Sequence, residues 1–89
     1  MKVKKTNLQM LQELLEVYHP KEPWFVNGEE ARVIREKLEL DERDVAGLRN
    51  ARNDVITFFS DEARRGDWDR MSAITYIIDS VIVDKGGEV

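Results

Sequence analysis

Apolar residues recur every three or four positions along most of this chain, the spacing of amphipathic helices. The first such segment begins at Thr6 or Asn7 and continues to Tyr18. Thr6 and Gln9 have the spacing of a capping box, which predicts a helix start there. The proline at position 20 disfavours helix in the residue before it, so we expect the helix to end near Tyr18. The apolar face is predicted to comprise Leu8, Leu11, Leu15 and Tyr18, with Met10, Leu14 and Val17 on its flank.

The second helical segment has the clearest start signal in the chain. Asn27 is a favourable N-cap residue, and Glu30 follows at the capping-box position. We expect this helix to end at about Glu39. Its narrow apolar stripe is formed by Ala31, Ile34 and Leu38, with Val33 beside it.

A similar start signal precedes the longest predicted helix. Asp41 is the predicted N-cap residue, and Asp44 lies three residues further on. We expect the helix to extend from Glu42 toward Arg65, with a kink or break near Ser60 as an open alternative. The predicted inward side chains are those of Val45, Leu48, Ala51, Val55, Phe58, Phe59 and Ala63.

The last apolar segment covers residues 67–83, with Asp67 as a predicted N-cap. Its apolar residues from Met71 to Val81 fall at alternating three- and four-residue steps, which indicates a helix. The stretch 74–83 is rich in β-branched residues, so a strand is the competing interpretation. Strict alternation is absent, which favours the helix. Because apolar residues nearly encircle it, this helix is the central element of the fold or the seam of a symmetric dimer, and we favour the core.

These segments predict an all-α protein, a small four-segment helical bundle that forms a single domain over residues 1–89. The connector between the first two helices contains Trp24 and Phe25, which we expect to close one end of the bundle. Residues 1–5 and 84–89 are expected to be frayed. A chain of this length buries roughly 60–65% of its unfolded surface, so association with a partner would add useful burial.

Composition and charge limit the classes of protein and of partner. The 89 residues are 42% hydrophobic and 36% charged, with a net charge of −4. A nucleic-acid-binding protein is usually basic over its binding face, so the acidic balance disfavours a nucleic-acid partner. No apolar run approaches the ~20 residues that span a bilayer, and the basic N-terminal residues are not followed by the apolar core of a signal peptide. We therefore expect a cytoplasmic protein with no membrane partner.

Residues that could support catalysis are few, and each has a simpler structural explanation. There is no cysteine, and His19 is the only histidine, so a metal or nucleophile–base constellation is not indicated. Asp41 and Asp67 are better explained as N-caps than as catalytic carboxylates. The glycine pair at positions 86–87 is isolated and lacks the pattern of a phosphate-binding loop. We expect a non-catalytic protein with no cofactor, metal or catalytic residues.

The absence of a chemical motif favours a protein-interaction or regulatory function. We expect a small module, of the kind found among phage or mobile-element accessory proteins, that acts on a protein partner or by forming a homodimer. Exposed aromatic and aliphatic side chains on the connector and the last helix are the candidates for this contact. The predicted protein interface comprises Trp24, Phe25, Tyr76, Ile77, Val81 and Ile82.

The alternative is a small DNA-binding regulator that uses the third helix. Arginine and asparagine are suited to the edges of guanine and adenine in the major groove. The residues between Ile34 and Ala46 resemble the opening of a phage-repressor-type helix-turn-helix. The sequence departs from that motif where Leu48 to Phe59 continues without the expected turn. The predicted nucleic-acid contacts are Arg43, Arg49, Asn50, Arg52 and Asn53. Mimicry of DNA by the acidic C-terminal part is a minor further option.

Overall fold

The computed structural model describes residues 5–17, 28–61 and 67–88. Within these ranges there is no strand, and the predicted all-α bundle is confirmed. The strand alternative for residues 74–83 is wrong, since this stretch is helical. The elements are α1 (Asn7–Val17), α2 (Gly28–Lys37), a 3-10 turn (Leu40–Glu42), α3 (Val45–Phe59) and α4 (Trp68–Asp84).

The centre of the bundle is an antiparallel hairpin of α3 and α4. Arg52 in α3 pairs with Asp79 in α4, and Gly87, just beyond the end of α4, lies against Val45 at the start of α3. Helix α1 packs on α2 and α3, while α2 also contacts α4. One hydrophobic core joins the four described helices, and its members within the described ranges are Met10, Leu11, Leu14, Ile34, Leu38, Leu40, Leu48, Ala51, Val55, Phe58, Phe59, Ile74, Ile77, Ile78, Val81 and Ile82.

The start of α1 forms the predicted capping box. The backbone nitrogen of Thr6 donates to Gln9 Oε1 at 2.8 Å, and the backbone nitrogen of Gln9 donates to Thr6 Oγ1 at 3.2 Å. Two backbone donors that the helix itself leaves unpaired are thereby satisfied. The predicted apolar face needs a correction, because Leu8 is exposed and the buried side is formed by Met10, Leu11 and Leu14.

The start of α3 lies three residues later than predicted. Asp44, not Asp41, is the N-cap, and its Oδ1 accepts a hydrogen bond from the backbone nitrogen of Gly47 at 2.7 Å. The preceding residues form the 3-10 turn, which places the Leu40 side chain in the core. Glu39 adopts a left-handed conformation at φ 53°, so α2 ends before it. By residue type, Asp41 and Asp44 are both acceptable N-cap residues. The burial of Leu40 in the 3-10 turn decides between them.

The Asp41 side chain instead pairs with Arg35 of α2. Its Oδ1 accepts a hydrogen bond from Arg35 at 2.5 Å, and this bond lowers the pKa of the Asp41 carboxyl and raises the pKa of the Arg35 guanidinium. Because the folded pKa of Asp41 is depressed, the stability that this pair contributes is present at neutral pH and is lost as the pH falls through that pKa. The pair is largely exposed, so its contribution is small.

Helix α3 ends at Phe59, which agrees with the break that the sequence allowed near Ser60. The Ser60 hydroxyl donates to the carbonyl of Ile56 at 2.7 Å, and the Ser60 backbone nitrogen donates to the same carbonyl at 3.0 Å. The predicted continuation of the helix toward Arg65 is therefore wrong for Ser60 and Asp61, which are not helical. Residues 62–66 lie outside the described ranges.

Residues 84–88, part of the tail expected to be frayed, are instead folded against the bundle. Gly86 has a φ of 84°, the Gly86 nitrogen donates to the Val83 carbonyl, and the Gly87 nitrogen donates to the Ile82 carbonyl, both at 2.9 Å. These bonds form a Schellman motif, in which a left-handed glycine ends the helix. The Lys85 ammonium donates to the carbonyls of Asp41 and Arg43 and so ties the end of α4 to the turn before α3.

Gly87 provides a direct test of this C-terminal packing. A Cβ at Gly87 would lie 2.8 Å from Ile82 Cγ2 and 2.9 Å from Val45 Cγ1, whereas one at Gly28 would meet nothing within 4 Å. We expect Gly87→Ala to lower the free energy of unfolding by about 1–3 kcal/mol, as overpacking does. The matched control Gly28→Ala should change it by less than about 0.5 kcal/mol. Urea unfolding followed by circular dichroism measures both, and equal values would show that the tail is not packed.

Candidate functional site

The two sides of α4 differ sharply in exposure. Ile77, Val81 and Ile82, three residues of the predicted protein interface, are at most 6% exposed and belong to the core. They offer almost no surface to a partner in this fold, because the core already covers them. Tyr76, from the same predicted set, is 73% exposed. Trp24 and Phe25 lie outside the described residues.

The exposed side of α4 carries an aligned row of large and small side chains. Trp68 is 47% exposed and Val83 is 58% exposed, and with Tyr76 they fall within about 80° around the helix axis. The side opposite this row faces the core. We define the outer face of α4 as Trp68, Ser72, Tyr76, Ser80 and Val83, all of which are exposed.

A shallow depression lies on the C-terminal half of this outer face. It has a volume of about 310 Å³ and is lined by Tyr76, Asp79, Ser80, Val83 and Asp84. The Ser80 hydroxyl donates to the Tyr76 carbonyl within the helix at 2.9 Å. A partner can therefore cover Ser80 without leaving its hydroxyl donor unpaired.

A second depression, the α3–α4 groove, adjoins the first and shares Asp79 with it. The groove has a volume of about 260 Å³ and is lined by Arg49, Arg52, Asn53, Asp79, Ile82 and Glu88. The Nε of Arg52 donates to Asp79 Oδ1 at 2.7 Å, and Arg49 donates to the Glu88 carbonyl at 2.9 Å. Tyr76 and three of the predicted nucleic-acid residues thus lie along one continuous surface.

The predicted nucleic-acid residues do not form a common basic surface. Arg43 is turned inward, where its Nε donates to the Leu38 carbonyl at 3.0 Å and its Nη2 contacts Met10 Sδ at 3.7 Å. Arg52 is paired with Asp79, while Asn50 and Asn53 are exposed. The remaining exposed arginine of α3, Arg49, is bonded to the tail. Few cations of this set are left to neutralise phosphates, on which nucleic-acid affinity depends.

Trp68 and Val83 were not in the predicted interface, although the sequence contains a signal for them. Trp68, Tyr76 and Val83 are separated by eight and seven residues, which places them on one side of a helix. That signal is obscured because Ile77, Val81 and Ile82 make the segment apolar around most of its circumference. Only the position of α3 identifies the side that stays exposed.

The described residues contain no group of three or more histidine, cysteine, aspartate or glutamate side chains arranged to hold a metal ion. His19 lies outside the described ranges. Asp67 occupies the N-cap position of α4, but its side chain makes no capping hydrogen bond. Over the same part of the chain, no helix has the length and apolar character needed to cross a membrane.

Comparison with protein-family models, with curated proteins and with solved structures finds no match to this chain.

The Arg52–Asp79 pair is predicted to fasten α3 to α4 beside the outer face. Its side chains are 36% and 23% exposed, whereas the Lys5–Glu13 pair is 56% and 50% exposed. Partial burial strengthens an ion pair, so a double-mutant cycle with alanine should give a coupling energy of roughly 0.5–1 kcal/mol for Arg52–Asp79 and less for Lys5–Glu13. Urea unfolding gives both energies, and a coupling no larger than that of Lys5–Glu13 would contradict the fastening role.

Proposed function

We propose that this chain is a non-catalytic protein-interaction module that binds its partner through the outer face of α4. The observation that carries the proposal is the alignment of three large, exposed side chains on the side of α4 that faces away from the core. Trp68, Tyr76 and Val83 span about 22 Å along the helix. Burying them against a partner would add apolar contact that a domain of this size has little room to make internally.

Isolated exposed apolar residues are normal on protein surfaces, so the arrangement matters more than the number. Helix α1 supplies the comparison, since Leu8 and Val17 are also exposed. They are nine residues apart and therefore point to roughly opposite sides of α1. One partner surface cannot cover both at once. The residues of α4, in contrast, share one side.

The chemistry of the outer face of α4 suits a binding hot spot. Tyrosine and tryptophan are enriched among the residues that contribute most to protein–protein affinity. Ser72 and Ser80 separate these large residues, which leaves notches between ridges where side chains of another helix can pack. The charged α3–α4 groove borders this row and provides the polar rim that surrounds such contacts.

A selection of helical peptides against the whole protein tests the proposal without assuming a partner. Peptides from a random phage-displayed library should bind where the surface is most receptive, which we expect to be the outer face of α4. Their affinity should fall at least about tenfold, or 1.4 kcal/mol, for the double variant Tyr76→Ser, Val83→Ser. Isothermal titration calorimetry measures the affinities, and thermal melts verify that the variants remain folded.

The matched control is Leu8→Ser, Val17→Ser, which removes two exposed apolar side chains from α1. This variant should bind the selected peptides within about twofold of the wild-type affinity. Equal losses for both double variants, or peptides that depend only on the α1 residues, would refute the outer face of α4 as the binding surface.

A further inference from the structure

The charges that α4 itself places beside its outer face are acidic. Asp79 and Asp84 line the depression beside Tyr76 and Val83, and Asp69 is exposed one residue after Trp68. Arg52 neutralises Asp79. Within the described residues, neither Asp69 nor Asp84 makes an ion pair within 4 Å. The row of apolar side chains is therefore accompanied by two carboxylates that no close ion pair neutralises, with Arg35 attracting Asp84 at longer range and the start of α4 favouring Asp69.

Among the described residues, the basic side chains near this face are bonded or directed elsewhere, and Arg49 in the adjoining groove donates to the Glu88 carbonyl. Arg70, the only basic residue within α4, is half-buried away from the outer face. Lys85 follows α4 and donates to the carbonyls of Asp41 and Arg43. Over residues 67–89 the sequence has five acidic and two basic residues, a net charge of −3. A partner approaching the outer face of α4 thus meets a negative potential.

A second copy of the chain would match this surface in the spacing of its side chains but not in charge. Ser72 and Ser80 lie four residues on either side of Tyr76, so two antiparallel copies of α4 could cross with their tyrosines at a two-fold axis. That arrangement brings Asp69 of each copy beside Asp84 of the other. Like charges at an interface repel, which favours an occupant of opposite charge.

The described part of the chain presents helices and no sheet edge, so an extended peptide has no strand to extend. A helix, in contrast, can pack along the ridges and notches of α4. Resting on the proposed function of this face, we propose that its partner is a basic amphipathic helix. That helix carries apolar residues at three- and four-residue spacing, with lysine or arginine on the flanks that meet Asp69 and Asp84.

Two synthetic 21-residue peptides test the charge preference directly. Both have leucine at the a and d positions of a heptad, and the e and g positions are lysine in one and glutamate in the other. Calorimetry at 50 and 300 mM NaCl gives the affinities for the whole protein. We expect the lysine peptide to bind at least tenfold more tightly than the glutamate peptide at low salt, with a smaller difference at high salt.

Variants then separate the contribution of charge from that of the apolar row. Asp69→Asn, Asp84→Asn should weaken the lysine peptide about fivefold at 50 mM NaCl and reduce its salt dependence. The control Glu36→Gln, Glu42→Gln removes the same charge from exposed sites on α2 and the 3-10 turn, and it should have less than a twofold effect. Tyr76→Ser, Val83→Ser should weaken the same peptide at least tenfold.

The outcomes distinguish this inference from the proposed function. Equal binding of the two peptides, with both dependent on Tyr76, would overturn the basic partner while leaving the outer face as a binding surface. If the lysine peptide binds equally well to the Tyr76→Ser, Val83→Ser variant, both the basic partner and the outer face as the binding surface are overturned. Failure of the lysine peptide to bind would overturn the basic helix. A dimer found by sedimentation of the protein alone, and abolished by the Tyr76 and Val83 changes, would replace it with a second copy.

Discussion

The packing of α4 against α3 is the interaction on which the rest of the structure depends. Helix α4 contributes five buried aliphatic side chains to the core, and α3 supplies the aromatic pair Phe58 and Phe59, whose rings meet edge to face at 5.3 Å. Each fully buried large side chain is worth roughly 1.5–3 kcal/mol. No other pair of elements in the described chain shares so much of the core, and α1 and α2 complete it from the sides.

This packing also determines which surface is left for a partner. Once Ile77, Ile78 and Val81 are buried in the core, the opposite side of α4 must face outward, and it carries Tyr76 and Val83. The hairpin is held in register by Arg52 and Asp79 at its middle. At the end of the hairpin, the glycine turn after α4 packs against Val45 at the start of α3. The core-facing side of α4 therefore stabilises the fold, and its exposed side is the surface proposed to bind a partner.

Helix starts that depend on neighbouring residues were predictable from the sequence. Thr6 and Gln9 form their capping box within four residues, so no tertiary contact is needed to recognise it. The choice between Asp41 and Asp44 was not local. Burial of Leu40 in the core and the attraction of Asp41 to Arg35 decide it, and both involve other elements.

The candidate site was predictable only in part, for the same reason. A helix that is apolar around most of its circumference does not reveal which side is covered, so Tyr76 was grouped with the buried Ile77, Val81 and Ile82. From the sequence alone, the glycine pair at positions 86–87 belongs to a tail that is expected to fray. Its ordered turn depends on the space beside Val45, which lies more than forty residues earlier in the chain.

Urea unfolding of two single variants of α4 tests most directly whether one side of the helix holds the fold while the other is free. We expect Ile78→Ala to lower the free energy of unfolding by about 2–5 kcal/mol, and Tyr76→Ala to change it by less than about 0.5 kcal/mol. If Ile78→Ala does not fold, Ile78→Val should still cost roughly 0.5–1.5 kcal/mol. A loss at Tyr76 as large as the loss at Ile78 would contradict the division of α4 into a core side and a binding side.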